Sequence, residues 1–182
     1  MTPTRIGVLA FALAVLLGPL YTVPGYSPVA HVISQLAAQN TPNNVVMAAA
    51  FVLLGATVAI DGLRARRREW LPFVAFGLAF GAAGLFGHRP IDPAVSYVAW
   101  MHEAHGVAAT LSGIALTVGF AWQALRPGTR WRRGMAAGLA LVCVGLPLLM
   151  LAQPSVQGAI QRLMYALVFA WLFAYYPPRA AA

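Results

Sequence analysis

Six apolar stretches of membrane-crossing length, joined by short connections, constrain this chain more than any other feature. They fall at about 6–22, 45–63, 71–87, 102–125, 134–152 and 157–176, and a helix needs about 20 mostly apolar residues to cross a hydrocarbon core. Little chain remains for a soluble domain. The sequence therefore predicts an all-α polytopic membrane protein, a single six-helix transmembrane domain over residues 1–182. Charged residues make up 9% of the chain, where a soluble domain carries roughly a quarter. The first run follows Arg5 and shows no small-x-small cleavage pattern before Tyr21 and Pro24, so it is expected to be an uncleaved first helix rather than a signal peptide.

The connections carry the arginines unevenly. Arg5, then Arg64, Arg66, Arg67 and Arg68, then Arg126, Arg130, Arg132 and Arg133, and finally Arg179 fall on one side of an alternating six-helix topology. Only Arg89 and Arg162 fall on the other. This asymmetry predicts that the first side, with the N and C termini, is cytoplasmic. It also accounts for the net charge of +8 without a basic face interleaved with stacking aromatics, so no nucleic acid is expected as a partner. Asp61 and Glu69 adjoin the arginine-rich turns and are expected to balance their charge. Cys143 is the only cysteine; it lies in an apolar run and reads as packing.

The third helix, 71–87, places Gly77, Gly81, Gly84 and Gly87 at three- and four-residue spacing, a face that lets a neighbouring backbone approach closely. A homo-oligomer or a membrane-protein partner through that face is one expectation. Gly134 and Gly138 repeat the device on the fifth helix. Trp70, Trp100, Trp131 and Tyr97 stand near helix ends, where interfacial aromatics belong.

The outward side holds every histidine, His31, His88, His102 and His105, together with Asp92, Glu103, Arg89 and Arg162. In the first outer connection, Ser27-Pro28 is a helix-start pattern. It predicts a short amphipathic helix at the membrane surface or dipping into it, with Val29, Ile33, Leu36 and Ala37 on one side and His31, Ser34 and Gln35 on the other. The alternative is an interfacial helix whose polar face meets only water and headgroups. In the second outer connection, Asp92-Pro93 is again a capping pattern. His102 and His105 share a helix face, and zinc is a candidate cofactor there, with His31, His88 or Asp92 as a third ligand. The competing expectation is histidines that hydrogen-bond at the interface or line a polar pocket. The spacing is one residue short of His-Glu-x-x-His, so the zincin mechanism does not apply.

Arg162 lies roughly 10 Å into the sixth helix at about 1.5 Å per residue. A charge at that depth must pair or snorkel. Pairing with Asp92 or Glu103, with Gln161 bonding nearby, is the expectation to test against snorkelling.

Tyr26-Ser27 through Ile33-Ser34-Gln35-Leu36 and Asn43-Asn44, the Asp92 loop leading to His105-Gly106, and Gly158-Ala159-Ile160-Gln161-Arg162 occur in an order that resembles the bacterial and archaeal membrane family catalogued as domain of unknown function 998. The resemblance covers essentially the whole chain. The family's first loop commonly reads Ser-Asp-Leu-Gly, where this chain has Ser34-Gln35-Leu36-Ala37. The resemblance implies a six-helix protein of a bacterial or archaeal cytoplasmic membrane, with a polar outer surface built from Ser34, Asp92, His105, Gln161 and Arg162. It brings no activity with it.

Three functions follow as expectations. The first is an outward polar pocket that binds a lipid headgroup or a membrane partner through His31, Ser34, Gln35, Asp92, His102, His105, Gln161 and Arg162. The second is a metal-dependent intramembrane hydrolase or lipid-modifying enzyme, with catalytic candidates Ser34, Asp92, His105 and Arg162 and metal candidates His102, His105, His31 and His88. Transport is third, because no ionisable residue stands near the middle of a span.

Overall fold

The computed structural model describes residues 1–176, so Arg179 lies outside the described residues. Six α-helices form: α1 Pro3–Tyr21, α2 Asn44–Arg64, α3 Leu71–Leu85, α4 Ala99–Leu125, α5 Arg130–Ala152 and α6 Gln157–Tyr175. Five are long and apolar enough to cross a membrane. The exception is α3, whose 15 residues span about 22 Å at 1.5 Å per residue, against a core of about 30 Å. A 3-10 turn, Arg68–Trp70, feeds directly into it, and α3 packs between α2 and α4.

Consecutive helices run antiparallel, which sorts the connections to two ends. At the arginine-rich end the Thr4 amide and hydroxyl both donate to Asp61 Oδ2 at 2.8 Å, tying the start of α1 to the last turns of α2. Arg5 Nε donates to the Phe173 carbonyl at 2.8 Å, and the Tyr176 hydroxyl donates to the Val58 carbonyl at 3.0 Å. Glu69 accepts from Arg126 at 2.7 Å and stands 3.8 Å from Arg67, joining the α2–α3 turn to the α4–α5 turn as the charge pattern predicts. Asp61 behaves differently from expectation. It is buried and pairs with no arginine among the described residues, because it follows Leu54 and Val58 along the buried face of α2. Its carboxylate satisfies the otherwise orphaned N–H of Thr4 at the positive end of α1.

The core is aromatic. Phe11 packs edge-on against Phe51 and Phe169, at 5.1 and 5.2 Å between centroids, and Phe73 stacks on Trp171 at 5.3 Å. Trp70 is 5% exposed and belongs to this second cluster rather than to an interface. Trp100, Trp131 and Tyr97 are exposed, as interfacial residues should be. Large apolar side chains such as Leu16, Leu78, Leu141 and Leu151 point outward along the helices, an arrangement that calls for a lipid solvent.

The glycines of α3 do allow close approach, and their neighbour is α2 of the same chain. A Cβ at Gly77 would meet the backbone of Gly55 and Ala59, and one at Gly84 the carbonyl of Ala48 at 2.8 Å. Within the chain the fifth helix makes no such approach. Gly134 and Gly138 face away from the other helices, because α5 sits at the edge of the bundle, packed chiefly on α4 and α6.

Candidate functional site: the polar cap at the histidine-bearing end

The first connection at this end dips into the bundle. Ser27-Pro28 opens a turn rather than a helix: the Ala30 amide donates to Ser27 Oγ at 3.3 Å and the His31 amide to the Ser27 carbonyl at 2.8 Å. The backbone is extended at Val32, and a 3-10 helix of five residues, Ile33–Ala37, follows. Ile33, Ser34, Leu36 and Ala37 are all buried, and Leu36 fills the space left by Gly18 of α1. Burial of this apolar cluster explains why the segment leaves the surface. Val29 stays exposed, outside the apolar side it was expected to share.

Two latches hold the dipped segment. The first is Arg162. Its Nη1 donates to the carbonyls of Pro28 at 2.6 Å, His31 at 3.0 Å and Gly158 at 3.0 Å, and its Nη2 donates to the Tyr26 hydroxyl. The guanidinium also lies 5.8 Å over the Tyr26 ring. Beside it, the Ile33 amide donates to Gln161 Oε1 at 2.6 Å and the Ala159 amide to the Val29 carbonyl at 3.0 Å. Gly158 is required here, since a Cβ would press on the backbone of Pro28 and His31. The expected pairing of Arg162 with Asp92 or Glu103 is not made: among the described residues the ion pairs all involve Glu69. The reason is proximity, because α6 begins directly beneath the loop carbonyls. Burial pushes the Tyr26 phenol above its ordinary pKa, and the Arg162 charge opposes that rise.

Gln39 is the second latch, and nothing in the sequence pattern singled it out. It is buried, donates from Nε2 to the carbonyls of Gly87 at 2.7 Å and Val98 at 3.2 Å, and accepts from the Val98 amide at 2.8 Å. Its own amide donates to the His88 carbonyl at 2.9 Å, within a single parallel bridge between Ala38 and His88. One glutamine thus satisfies three backbone groups of the α3–α4 connection and ties it to the first loop. Asn40 adds a bond to the Ser96 carbonyl at 2.8 Å.

Three of the four histidines come together. The His88 ring lies 4.6 Å from His102 and 5.4 Å from His105. His105 is buried, and its Nδ1 bonds the carbonyls of Ala83 at 2.8 Å and Phe86 at 2.9 Å. Both partners are acceptors, so Nδ1 carries the proton. The same reasoning protonates Nδ1 of His88, which bonds the Arg89 carbonyl at 2.8 Å. His31 stands elsewhere, its Nδ1 accepting from the Ser27 amide at 2.8 Å and its ring beside Tyr26. Among the described residues no group of three or more His, Cys, Asp or Glu side chains is placed to hold a metal ion, so the zinc set of His102, His105, His31 and His88 does not assemble. The catalytic candidates are not hydrogen-bonded to one another. Asp92 is exposed and caps its own turn, accepting from the Ala94 amide at 2.8 Å, while Ser34, His105 and Arg162 share no hydrogen bond with it or with one another. Gln35 is spent on the Val32 amide at 3.0 Å.

Burial, with His105, His102 and Arg89 adding to it, pushes His88 down to about 4 from an ordinary 6.5. The folded protein therefore keeps His88 neutral where the unfolded chain protonates it. Stability attributable to His88 is full above pH 6.5, falls as pH drops toward 4, and is flat below. About 1.4 kcal/mol per unit puts the loss near 3 kcal/mol across that window. Thermal melting of the wild type and of His88→Gln between pH 7 and pH 4 checks this; equal acid losses in both would rule His88 out as the group responsible.

A family model described as a protein of unknown function (DUF998) matches residues 5–176. No curated protein and no solved structure matches the chain.

Proposed function

We propose that this chain, which belongs to the DUF998 family, is a multi-pass membrane protein that binds an anionic lipid headgroup at its histidine-bearing end, with Arg162 as the recognising charge. The observation that carries the reading is an uncompensated cation. Arg162 is half-buried, all four of its acceptors are neutral, and its Nε–H makes no bond among the described residues. A guanidinium in such a place attracts a phosphate, which accepts charge-assisted bonds in a geometry that neutral carbonyls do not supply. The arginine-rich opposite end supports an orientation with this cap facing outward from the cytoplasm.

Purified protein in mixed micelles, titrated with phosphatidylglycerol or phosphatidylcholine and followed by native mass spectrometry, tests the reading. Preferential retention of the anionic lipid is expected, with the preference falling about tenfold in Arg162→Lys, which keeps the charge and loses the planar fork. Tyr26→Phe frees one donor and should leave the preference intact. Equal retention of both lipids overturns the proposal. Stoichiometric zinc in the wild type, lost in His102→Ala and His105→Ala, would favour the hydrolase in its place.

A further inference from the structure

A groove of about 720 Å³ runs between α3 and α4 on the arginine-rich half of the bundle, away from the polar cap. The half-buried Ala79 and Ala115 make it concave, and the exposed Leu78 and Ile114 rise at its sides. Its lining is apolar apart from Arg68 and Trp122. Arg68 is exposed and enters no ion pair among the described residues, whereas its neighbours Arg67 and Arg126 share Glu69.

The groove's length fits one leaflet. From Leu71 to Ala79 on α3, and from Leu111 to Trp122 on α4, it extends about 12 and 16 Å at 1.5 Å per residue. Half of a bilayer's hydrocarbon core is about 15 Å. A chain lying in the groove would therefore run from the interface to the bilayer midplane, with Arg68 at its head. Trp122, 47% exposed, stands at the depth where an indole meets the headgroup region.

We infer that this groove is a specific site for an anionic phospholipid of the leaflet on the arginine-rich side, with an acyl chain along Ala75, Ala79 and Ala115 and the phosphate on Arg68. Charge decides between this occupant and a helix of a second copy. A second copy would enclose the unpaired Arg68 guanidinium in an apolar interface, where a charge is costly without a partner. A phosphate supplies that partner, and Arg64 at the end of α2 with Arg66 and Arg67 after it add long-range attraction for an anionic surface. The site lies at the opposite end of the bundle from Arg162 and does not depend on what the cap binds.

The full chain in mixed micelles, titrated with phosphatidylglycerol and phosphatidylcholine and read by native mass spectrometry, tests the inference. Run on Arg162→Met protein, which removes the cap's charge, the assay isolates the groove from the cap. The expected result is one retained phosphatidylglycerol per chain, preferred about fivefold over phosphatidylcholine. Arg68→Gln should remove the preference while leaving weak retention of either lipid, and Ala75→Phe, placed on an exposed position of α3, should fill the groove and remove retention. Circular dichroism melting of each variant separates loss of the lipid from loss of the fold, and Ala75→Phe carries the test alone if Arg68→Gln does not fold. Equal retention of both lipids, a preference that survives both variants, or a dimer that Ala75→Phe dissociates would each overturn the inference, the last in favour of a second copy.

Discussion

Gly55→Ala is expected to lose about 3 kcal/mol or more of stability, at the upper end of overpacking costs, and Gly55→Val to yield little folded protein. A Cβ at position 55 would meet the Gly77 carbonyl and lie 2.6 Å from the Gly81 nitrogen and 2.8 Å from the Gly81 Cα. All three neighbours are backbone atoms, so no rotamer change relieves the contact. The only relief is separation of α2 from α3, which undoes the packing of Phe51, Phe76 and Phe80 that the close approach permits. Against a total stability of roughly 5–15 kcal/mol, such a loss decides whether the protein survives extraction. Gly138→Ala is the control: its Cβ would meet nothing, and exchanging glycine for alanine inside a helix gains up to about 1 kcal/mol. Size-exclusion profiles and melting curves of the two alanine variants, measured side by side, check the pair. A Gly55→Ala protein that melts with the wild type would mean that α2 and α3 do not touch through Gly55.

That contrast also marks how far a sequence of this kind can be read. The helices were legible because the requirement they answer is crude: an apolar run must match the bilayer. The ends were legible for a similar reason, since charge asymmetry between loops is a sum over many residues. Which glycine spacing becomes a packing face was not legible. Gly77-Gly81 and Gly134-Gly138 read alike, and only the place of the helix, central for α3 and peripheral for α5, separates them. Asp61 reads from the sequence as charge balance for the adjoining arginine-rich turn, although its register with Leu54 and Val58 puts it on the inner face of α2. Helical periodicity could have found it.

The polar cap was legible as a set of residues and not as a set of contacts. His88, His102 and His105 do gather, and Gln161 and Arg162 do act beside the first loop. Their partners, however, are mostly main-chain carbonyls, which every residue carries and no residue type announces. Expecting Asp92 or Glu103 opposite Arg162 followed from looking for side-chain charges alone. Gln39 is inconspicuous in the sequence for the same reason. Its signal is a run of hydrogen-bonding side chains, Gln39-Asn40-Thr41, directly after Ala37-Ala38, a place where side chains are apt to bond backbone.

Arg162→Met should open the cap while leaving the bundle folded. Methionine has nearly the length of arginine and none of its donors, so the Pro28 and His31 carbonyls and the Tyr26 hydroxyl lose the bonds they share. Each part-buried acceptor left unsatisfied costs about 1–3 kcal/mol, less at the exposed Pro28 carbonyl, and water entering from that side offsets part of it. A net cost of about 3–4 kcal/mol falls on the loop, because the aromatic core of α1, α2, α3 and α6 makes no use of Arg162. Local opening should then raise hydrogen exchange at the Ile33 and Ala159 amides by two to three decades, at about 1.4 kcal/mol per decade, with exchange in the middle of α2 unchanged. Unchanged exchange at those two amides would remove Arg162 from the role of latch. Gln161→Ala separates the latch from the charge: it deprives the Ile33 amide of its acceptor yet leaves the guanidinium in place, so it should loosen the cap and keep the preference for an anionic lipid. Arg162→Met should lose both at the cap, leaving only the anionic lipid held at Arg68. If Gln161→Ala also loses the lipid, recognition depends on the closed cap as a whole, and a bound headgroup would in turn stabilise that closed form.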